Sequence, residues 1–332
     1  MNRNHINTLI RKFQDQTTLV IGDLILDHFL WGSASRISPE APVPVVLFER
    51  EEYMPGGAGN VANNIAALGG HPILLGVVGD DSNQKLLQES LKREGIDSFF
   101  PTVEGGRKTA KKTRVVAQRQ QVVRVDRESS GNICSTTTKK LLDQFYKHLP
   151  KTSTVILTDY AKGLLTQELV SAVIEACNQA NVLLCFDPKP SHKIDFKGVS
   201  WLTPNRKETF ELAKVADRTF HSDPLKDTNL QLAITTVQRL YQPKYLLSTL
   251  GEGGMLLSIP DGSQYHIPTL AQTVFDVSGA GDTVIATLAL ALQSGAMPQE
   301  AVEIANQAAG IVVGKLGTAT VSVEELRTSM MG

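Results

Sequence analysis

In FDVSGAGDTVIATLALAL, residues 275–292, three small residues (Gly279, Ala280, Gly281) lead into Asp282, and a long apolar run follows. A glycine-rich turn entering a helix presents unpaired backbone N–H groups, and the helix dipole adds partial positive charge. The pattern therefore predicts an anion hole suited to phosphate. It is not a Walker A loop, which ends in Gly-Lys-Ser/Thr. Asp282 falls in the first turn, where a carboxylate gains roughly 0.3–1 kcal/mol from the dipole alone. Two roles are open to it. It caps the helix, or it takes a proton from an attacking hydroxyl while the N–H groups of 279–281 stabilise a transferring phosphoryl group.

Other polar clusters have the same two-sided character. Asn205 in TPNRKE (203–208) reads as a helix N-cap with Glu208 as its box partner. The same amide and carboxylate oxygens suit a Mg²⁺-nucleotide, directly or through water. Lys189 in DPK (187–189) is a solvated loop cation or a phosphate neighbour. Lys111, Lys112, Arg114, Arg119, Arg124 and Arg127 read mostly as a solvated face. Of these, Arg114 and Arg124 are the candidates for phosphate, because arginine binds it bidentately. Gly57-Ala58-Gly59-Asn60-Val61-Ala62 with Asp80 downstream fits a dinucleotide fingerprint, but the charged FEREEYMP before it makes a poor buried strand. The alternative is that Gly56 and Gly57 let backbone approach a substrate while Asn60 offers its amide. No His/Cys cluster has metal-ligand spacing, and G-x-S-x-G is absent.

These residues need elements to hold them. Apolar segments at 17–26, 72–81, 154–160, 182–189, 200–205 and 245–254 read as strands, and most end in Gly, Asp or Asn. Helical spacing appears at 60–70, 82–95, 166–179, 282–293 and 298–314. The alternation predicts an α/β fold with a mostly parallel central sheet flanked by helices. In such sheets ligands sit beyond the carboxyl ends of the strands. Asp27, Asp80, Asp159, Asp187, Asn205 and Gly251 fall at such ends. Two segments break the pattern: 31–54, with three prolines, and the alternating 111–128, which reads as a β-hairpin bending near Gln120-Gln121. Together they predict a small β-sheet lid.

The chain has 332 residues, 42% hydrophobic and 20% charged, enough for one large domain with an appendage. A formal net charge of −1 suggests no nucleic acid and no membrane as partner. Cys134, Cys177 and Cys185 form no framework, and the first residues carry no apolar signal core, so a cytoplasmic protein is expected.

With GGAGN, DPK, TPNRKE and DVSGAGD in this order, the chain resembles the ribokinase-like (PfkB) family of sugar kinases over nearly its whole length. SRISPEAPVPVV, LTDYAKG and AAGIVVGKLGT are similar to the branch that acts on D-glycero-β-D-manno-heptose 7-phosphate. The resemblance implies a single kinase domain over 1–332, with lid segments at about 31–54 and 108–128. It implies ATP-dependent phosphorylation of the anomeric hydroxyl of that sugar for lipopolysaccharide core synthesis, with ATP and Mg²⁺ and room for a monovalent cation. Asp282 matches the base, and Gly279, Ala280 and Gly281 the anion hole. Asp27, Gly56, Gly57 and Asn60 match sugar contacts. Asn205, Arg206, Lys207 and Glu208 match a nucleotide-site segment, with Asn205 and Glu208 nearest Mg²⁺. Thr249, Gly251 and Gly254 match the nucleotide loop, Asn306 an adenine contact, and Lys189 a lysine near the phosphates. A homodimer through the lid is implied. The sequence ends at Gly332, so a stand-alone kinase is expected, with nucleotidyl transfer left to another protein. Met54 (where this branch has Arg), Gly59 (where Ala is usual) and Ser278 (where Thr is commoner) depart from the pattern. The competing expectations are a kinase for another sugar, an NAD-dependent oxidoreductase, and a sugar-binding protein without catalysis.

Overall fold

The structure is a computed structural model that describes residues 3–118, 120–270, 274–315 and 317–331; Arg119, and Leu316 of the GKLGT segment, lie outside them. Thirteen strands and ten helices are found among the described residues. The strands are β1 (Thr17–Gly22), β2 (Leu24–Ile37), β3 (Pro44–Gly57), β4 (His71–Val78), β5 (Phe99–Val103), β6 (Ala110–Ala117) and β7 (Gln120–Arg127). They continue with β8 (Thr154–Thr158), β9 (Leu183–Asp187), β10 (Trp201–Leu202), β11 (Tyr245–Thr249), β12 (Met255–Ser258) and β13 (Gln264–Ile267). The helices are α1 (Arg3–Arg11), α2 (Ala58–Ala67), α3 (Ser82–Arg93), α4 (Ser135–His148) and α5 (Gln167–Ala180). The remaining five are α6 (Arg206–Ala213), α7 (Thr228–Tyr241), α8 (Ala280–Gln293), α9 (Pro298–Val312) and α10 (Val323–Met331).

Nine strands make the central sheet in the order β13-β12-β11-β10-β9-β8-β1-β4-β5. Its seven strands from β11 to β5 are parallel, and β12 and β13 add an antiparallel edge. The parallel strands are apolar on both faces because helices cover both. Side chains alternate across β1: Val20 joins the core with α2, α8 and α9, while Leu19 and Ile21 join the one with α4, α5 and α7. In α8 every residue from Asp282 to Ala291 is buried, which explains its nearly continuous apolar sequence.

The expected strand 17–26 is two strands in two sheets. The chain leaves the central sheet at Asp23, whose carboxylate accepts backbone N–H bonds from Tyr160, Lys162 and Leu164 at 3.0, 3.0 and 3.2 Å. Leu24, Ile25 and Leu26 stay buried beyond it, so the hydrophobic run continues while the sheet changes. β2 enters a second, four-stranded sheet in the order β3-β2-β6-β7. This sheet takes in 24–57, a longer stretch than the expected 31–54, and 110–127, which matches the expected 111–128 to within a residue at each end. β6 and β7 form the expected hairpin, and Ala117 pairs with Gln120 beside its bend.

The dinucleotide reading of 57–62 fails on this topology. The strand entering those glycines, β3, belongs to the small sheet and pairs antiparallel with β2, whereas the fingerprint needs a buried parallel strand.

Candidate active site

Gly279 caps α8 with φ 80, a left-handed conformation that glycine adopts without strain. A Cβ at this position would stand 2.7 Å from the Asn60 amide nitrogen, so glycine here also lets α2 approach. At Gly281 a Cβ would meet nothing within 4 Å, so the start of the helix faces open space. Asp282 is the third residue of α8, and among the described residues its carboxylate takes no backbone N–H of the helix start. Its carboxylate turns to two side chains instead: Asn60 Nδ2 donates to Oδ2 at 2.7 Å, and the Tyr160 hydroxyl donates to Oδ1. Burial pushes the Asp282 carboxyl up to about 6, while the Tyr160 and Asn60 donors act against that rise. Thr283 donates to Asn64 Oδ1 at 2.8 Å, and Asn64 donates to the Asn60 carbonyl at 2.9 Å, which locks α2 to α8 behind the carboxylate.

The small sheet supplies a second wall. Asp27 on β2 is buried and ion-paired with Arg114 on β6. Gly56 on β3 leaves room for that carboxylate, since a Cβ would fall 2.2 Å from Asp27 Oδ2 and push it aside. The third wall follows β9 and β11. Asn205 and Glu208 form a reciprocal capping box at the start of α6, with bonds of 2.9 and 3.1 Å. The capping reading of this pair therefore holds, yet Glu208 Oε1 still accepts from Lys189 Nζ at 3.1 Å. Burial, with the charges of Glu208 and Asp282 added, pushes the Asp187 carboxyl well above its usual range. Crowded acids of this kind favour a bound cation. Among the described residues no three acidic, histidine or cysteine side chains form a metal cage. One or two carboxylates completed by waters and phosphates is the arrangement that Mg²⁺ usually takes.

The three walls border an open cavity of about 210 Å³. A carboxylate beside a helix N-terminus, opening on a polar cavity, can accept a proton from a hydroxyl held between it and an anion.

The profile of the pfkB family carbohydrate kinases matches residues 16–326. The chain belongs to that family. The "Bifunctional protein HldE" of Trichlorobacter lovleyi is 41% identical over 98% of this chain. The chain spans 65% of that relative's length. In structure, the chain is similar to the ribokinase of Arabidopsis thaliana complexed with ribose and ATP (TM-score 0.74, 18% identity, 96% of this chain and 99% of that one). It is also similar to phosphofructokinase-2 of Escherichia coli in complex with potassium (TM-score 0.75, 18% identity, 95% and 98% covered). The nine-stranded sheet with its small second sheet is thus a ribokinase-like fold.

Within this pfkB chain, the residues expected at a site divide into two groups. Asp27, Gly57, Arg114, Asn205, Glu208, Thr249, Gly279, Gly281 and Asp282 line the cavity. Gly56, Asn60 and Lys189 touch residues that do, and Ala280 opens α8 beside them. The others lie outside the lining. Arg124 forks onto Asp126 on the exposed strand β7. Arg206 grips Asp217 and Asp227 at 2.8 and 3.0 Å, tying α6 to the start of α7. Lys207 is exposed and pairs with Glu211. Gly251 and Gly254 shape the turn between β11 and β12, and Asn306 donates to the Pro268 carbonyl at 2.8 Å.

Sequence reasoning did not single out Tyr160 or Thr318 on the lining, and set Lys112 among solvated cations. Thr318 also donates to the Met54 sulfur at 3.9 Å, so the unusual residue at 54 reaches the cavity wall. Only the position of Tyr160 just past a strand end pointed its way.

Proposed function

We propose that this chain transfers the γ-phosphoryl group of ATP to the anomeric hydroxyl of D-glycero-β-D-manno-heptose 7-phosphate, giving the 1,7-bisphosphate for lipopolysaccharide core synthesis. The observation that carries the phosphoryl-transfer reading is Asp282, buried, uninvolved in capping, and placed beside the open start of α8. Family membership supports a sugar as acceptor, and SRISPEAPVPVV and GKLGT support heptose.

Asp27 orients the sugar, with the backbone at Gly56 and Gly57 close beneath it. Asp282 accepts the proton of the anomeric hydroxyl as its oxygen forms a bond to the γ-phosphorus. The bond to the β–γ bridging oxygen breaks, and that electron pair leaves on ADP. N–H groups at 279–281 stabilise the charge on the phosphoryl oxygens in transit. Mg²⁺ brought with the nucleotide would neutralise phosphate charge, held by Asn205 and Glu208 directly or through water. Lys189, Thr249, Gly251, Gly254 and Asn306 form the nucleotide side of the reading, while Arg206 braces α6 through Asp217 and Asp227 and Lys207 stays on its exposed face. Potassium in the E. coli phosphofructokinase-2 complex supports a monovalent cation here as well.

The four-stranded sheet acts in this reading as a lid over the acceptor. It leaves Leu47, Phe48, Val123 and Val125 exposed, apolar area that a second copy of the chain would cover. No helix among the described residues is long and apolar enough to cross a membrane, in keeping with a cytoplasmic site of action.

The test is ADP release with heptose 7-phosphate, fructose 6-phosphate and ribose in parallel. Preference for the heptose is expected. Preference for another sugar overturns the substrate, and NAD binding without ADP release overturns the kinase.

A further inference from the structure

Lys112 lies on β6 between two carboxylates and holds neither. In register it stands beside Asp27 on β2 and opposite Asp126 on β7. Arg114 takes Asp27. Arg124 takes Asp126 with two bonds of 2.9 and 3.0 Å. Among the described residues no carboxylate lies within 4.0 Å of the Lys112 ammonium. Its side chain lines the cavity together with Arg114. Burial lowers its pKa, and Lys162, Arg114 and Arg124 push the same way through like charge, against the attraction of Asp27. Each of those three cations has a carboxylate of its own (Glu128, Asp27 and Asp126), so Lys112 is the partly buried ammonium left without an ion pair, and such a group favours an anion.

The nucleotide has its own reception at the start of α8, where a Cβ at Gly281 would meet nothing within 4 Å. Lys112 comes instead from the sheet that carries Asp27, the proposed sugar contact. We propose that Lys112 binds the phosphate that the acceptor sugar already carries, with Arg114 joining it once a sugar hydroxyl displaces the guanidinium from Asp27. The inference rests on the cavity being a sugar kinase site, and it makes sugar phosphates the substrate class of that site. The two arginines singled out from sequence are both engaged in the free chain, while the lysine between them is not.

Calorimetric binding tests this without turnover, using heptose 7-phosphate, the same heptose without phosphate, and Mg²⁺-ATP. The wild-type chain is expected to prefer the phosphorylated heptose by at least about 10-fold, the scale of one charge-assisted hydrogen bond. Lys112→Met is expected to abolish most of that preference and leave ATP affinity unchanged, with Lys112→Arg restoring part of it. Retention of the preference in Lys112→Met overturns the proposal, as does its absence in the wild type. Loss of ATP affinity instead assigns Lys112 to the nucleotide and also overturns it. A wild-type chain that shows the lysine-dependent preference yet releases no ADP supports the subsite while overturning the kinase reading. ADP release with no preference for the phosphorylated sugar does the reverse.

Discussion

The Tyr160 hydroxyl donates to one oxygen of Asp282, from a loop 122 residues away in sequence, while Asn60 holds the other oxygen. Both donors favour the ionised carboxylate, against a burial that opposes it. Tyr160→Phe removes one of them. The carboxyl then titrates above its present value of about 6, and the acid limb of kcat/KM for ADP release moves to higher pH. A limb that stays in place would show that Tyr160 only fills space.

The same carboxylate sets a stability cost. Its pKa is 3.8 when exposed and about 6 in the fold, so the folded chain binds more protons between those values. Stability contributed by this group therefore falls as pH rises from about 4 to 6, and the cost is complete above that range. The ceiling is roughly 3 kcal/mol. Asp282→Asn is expected to unfold at higher urea than wild type at pH 8, with the gap closing near pH 4.

Neighbouring glycines should respond in opposite ways. Gly279→Ala forces alanine to φ 80 and against Asn60, at a cost of about 1–2 kcal/mol, and displaces a donor from Asp282. Both thermal stability and turnover should drop. Gly281→Ala sits in an ordinary helical position with free space, where alanine gains roughly 0.5–1 kcal/mol. It should hold or raise the melting temperature and still lose turnover, because its methyl enters the room left for phosphate.

Asp23 accepts three backbone N–H groups where the chain passes between sheets. Asp23→Ala leaves those donors without an acceptor, at about 1–3 kcal/mol for each that stays buried. A large fall in the urea midpoint is expected, with Asp23→Asn intermediate because its carbonyl oxygen still accepts.

How far the site could be read in advance followed from how local each requirement is. SGAGDTV states its demands within seven residues: small residues at a turn, an acid in the first helical turn, an apolar helix behind. The alternation of strands and helices likewise exposes the parallel sheet. The break at Asp23 was hidden because Leu24–Leu26 remain buried on its far side and keep the run apolar. Tyr160 was hidden because its partner comes from a distant segment, and nothing in LTDYAKG names it. Along β6 and β7 the period of two shows which residues share a face, but not which cation a neighbouring acid will claim. Arg114 and Arg124 looked better suited to phosphate than Lys112, yet Asp27 and Asp126 engage both of them.

The central claim is that Asp282 deprotonates the anomeric hydroxyl of a sugar phosphate for attack on ATP. Phosphorus NMR of a mixture with heptose 7-phosphate and Mg²⁺-ATP reads this directly. The wild-type chain should produce ADP together with a new phosphate signal split by the anomeric proton, and Asp282→Asn, folded and still binding both substrates, should produce it at least about 100-fold more slowly. A new signal of equal rate in the two proteins, or one coupled to any other carbon-bound proton of the sugar, would contradict the account.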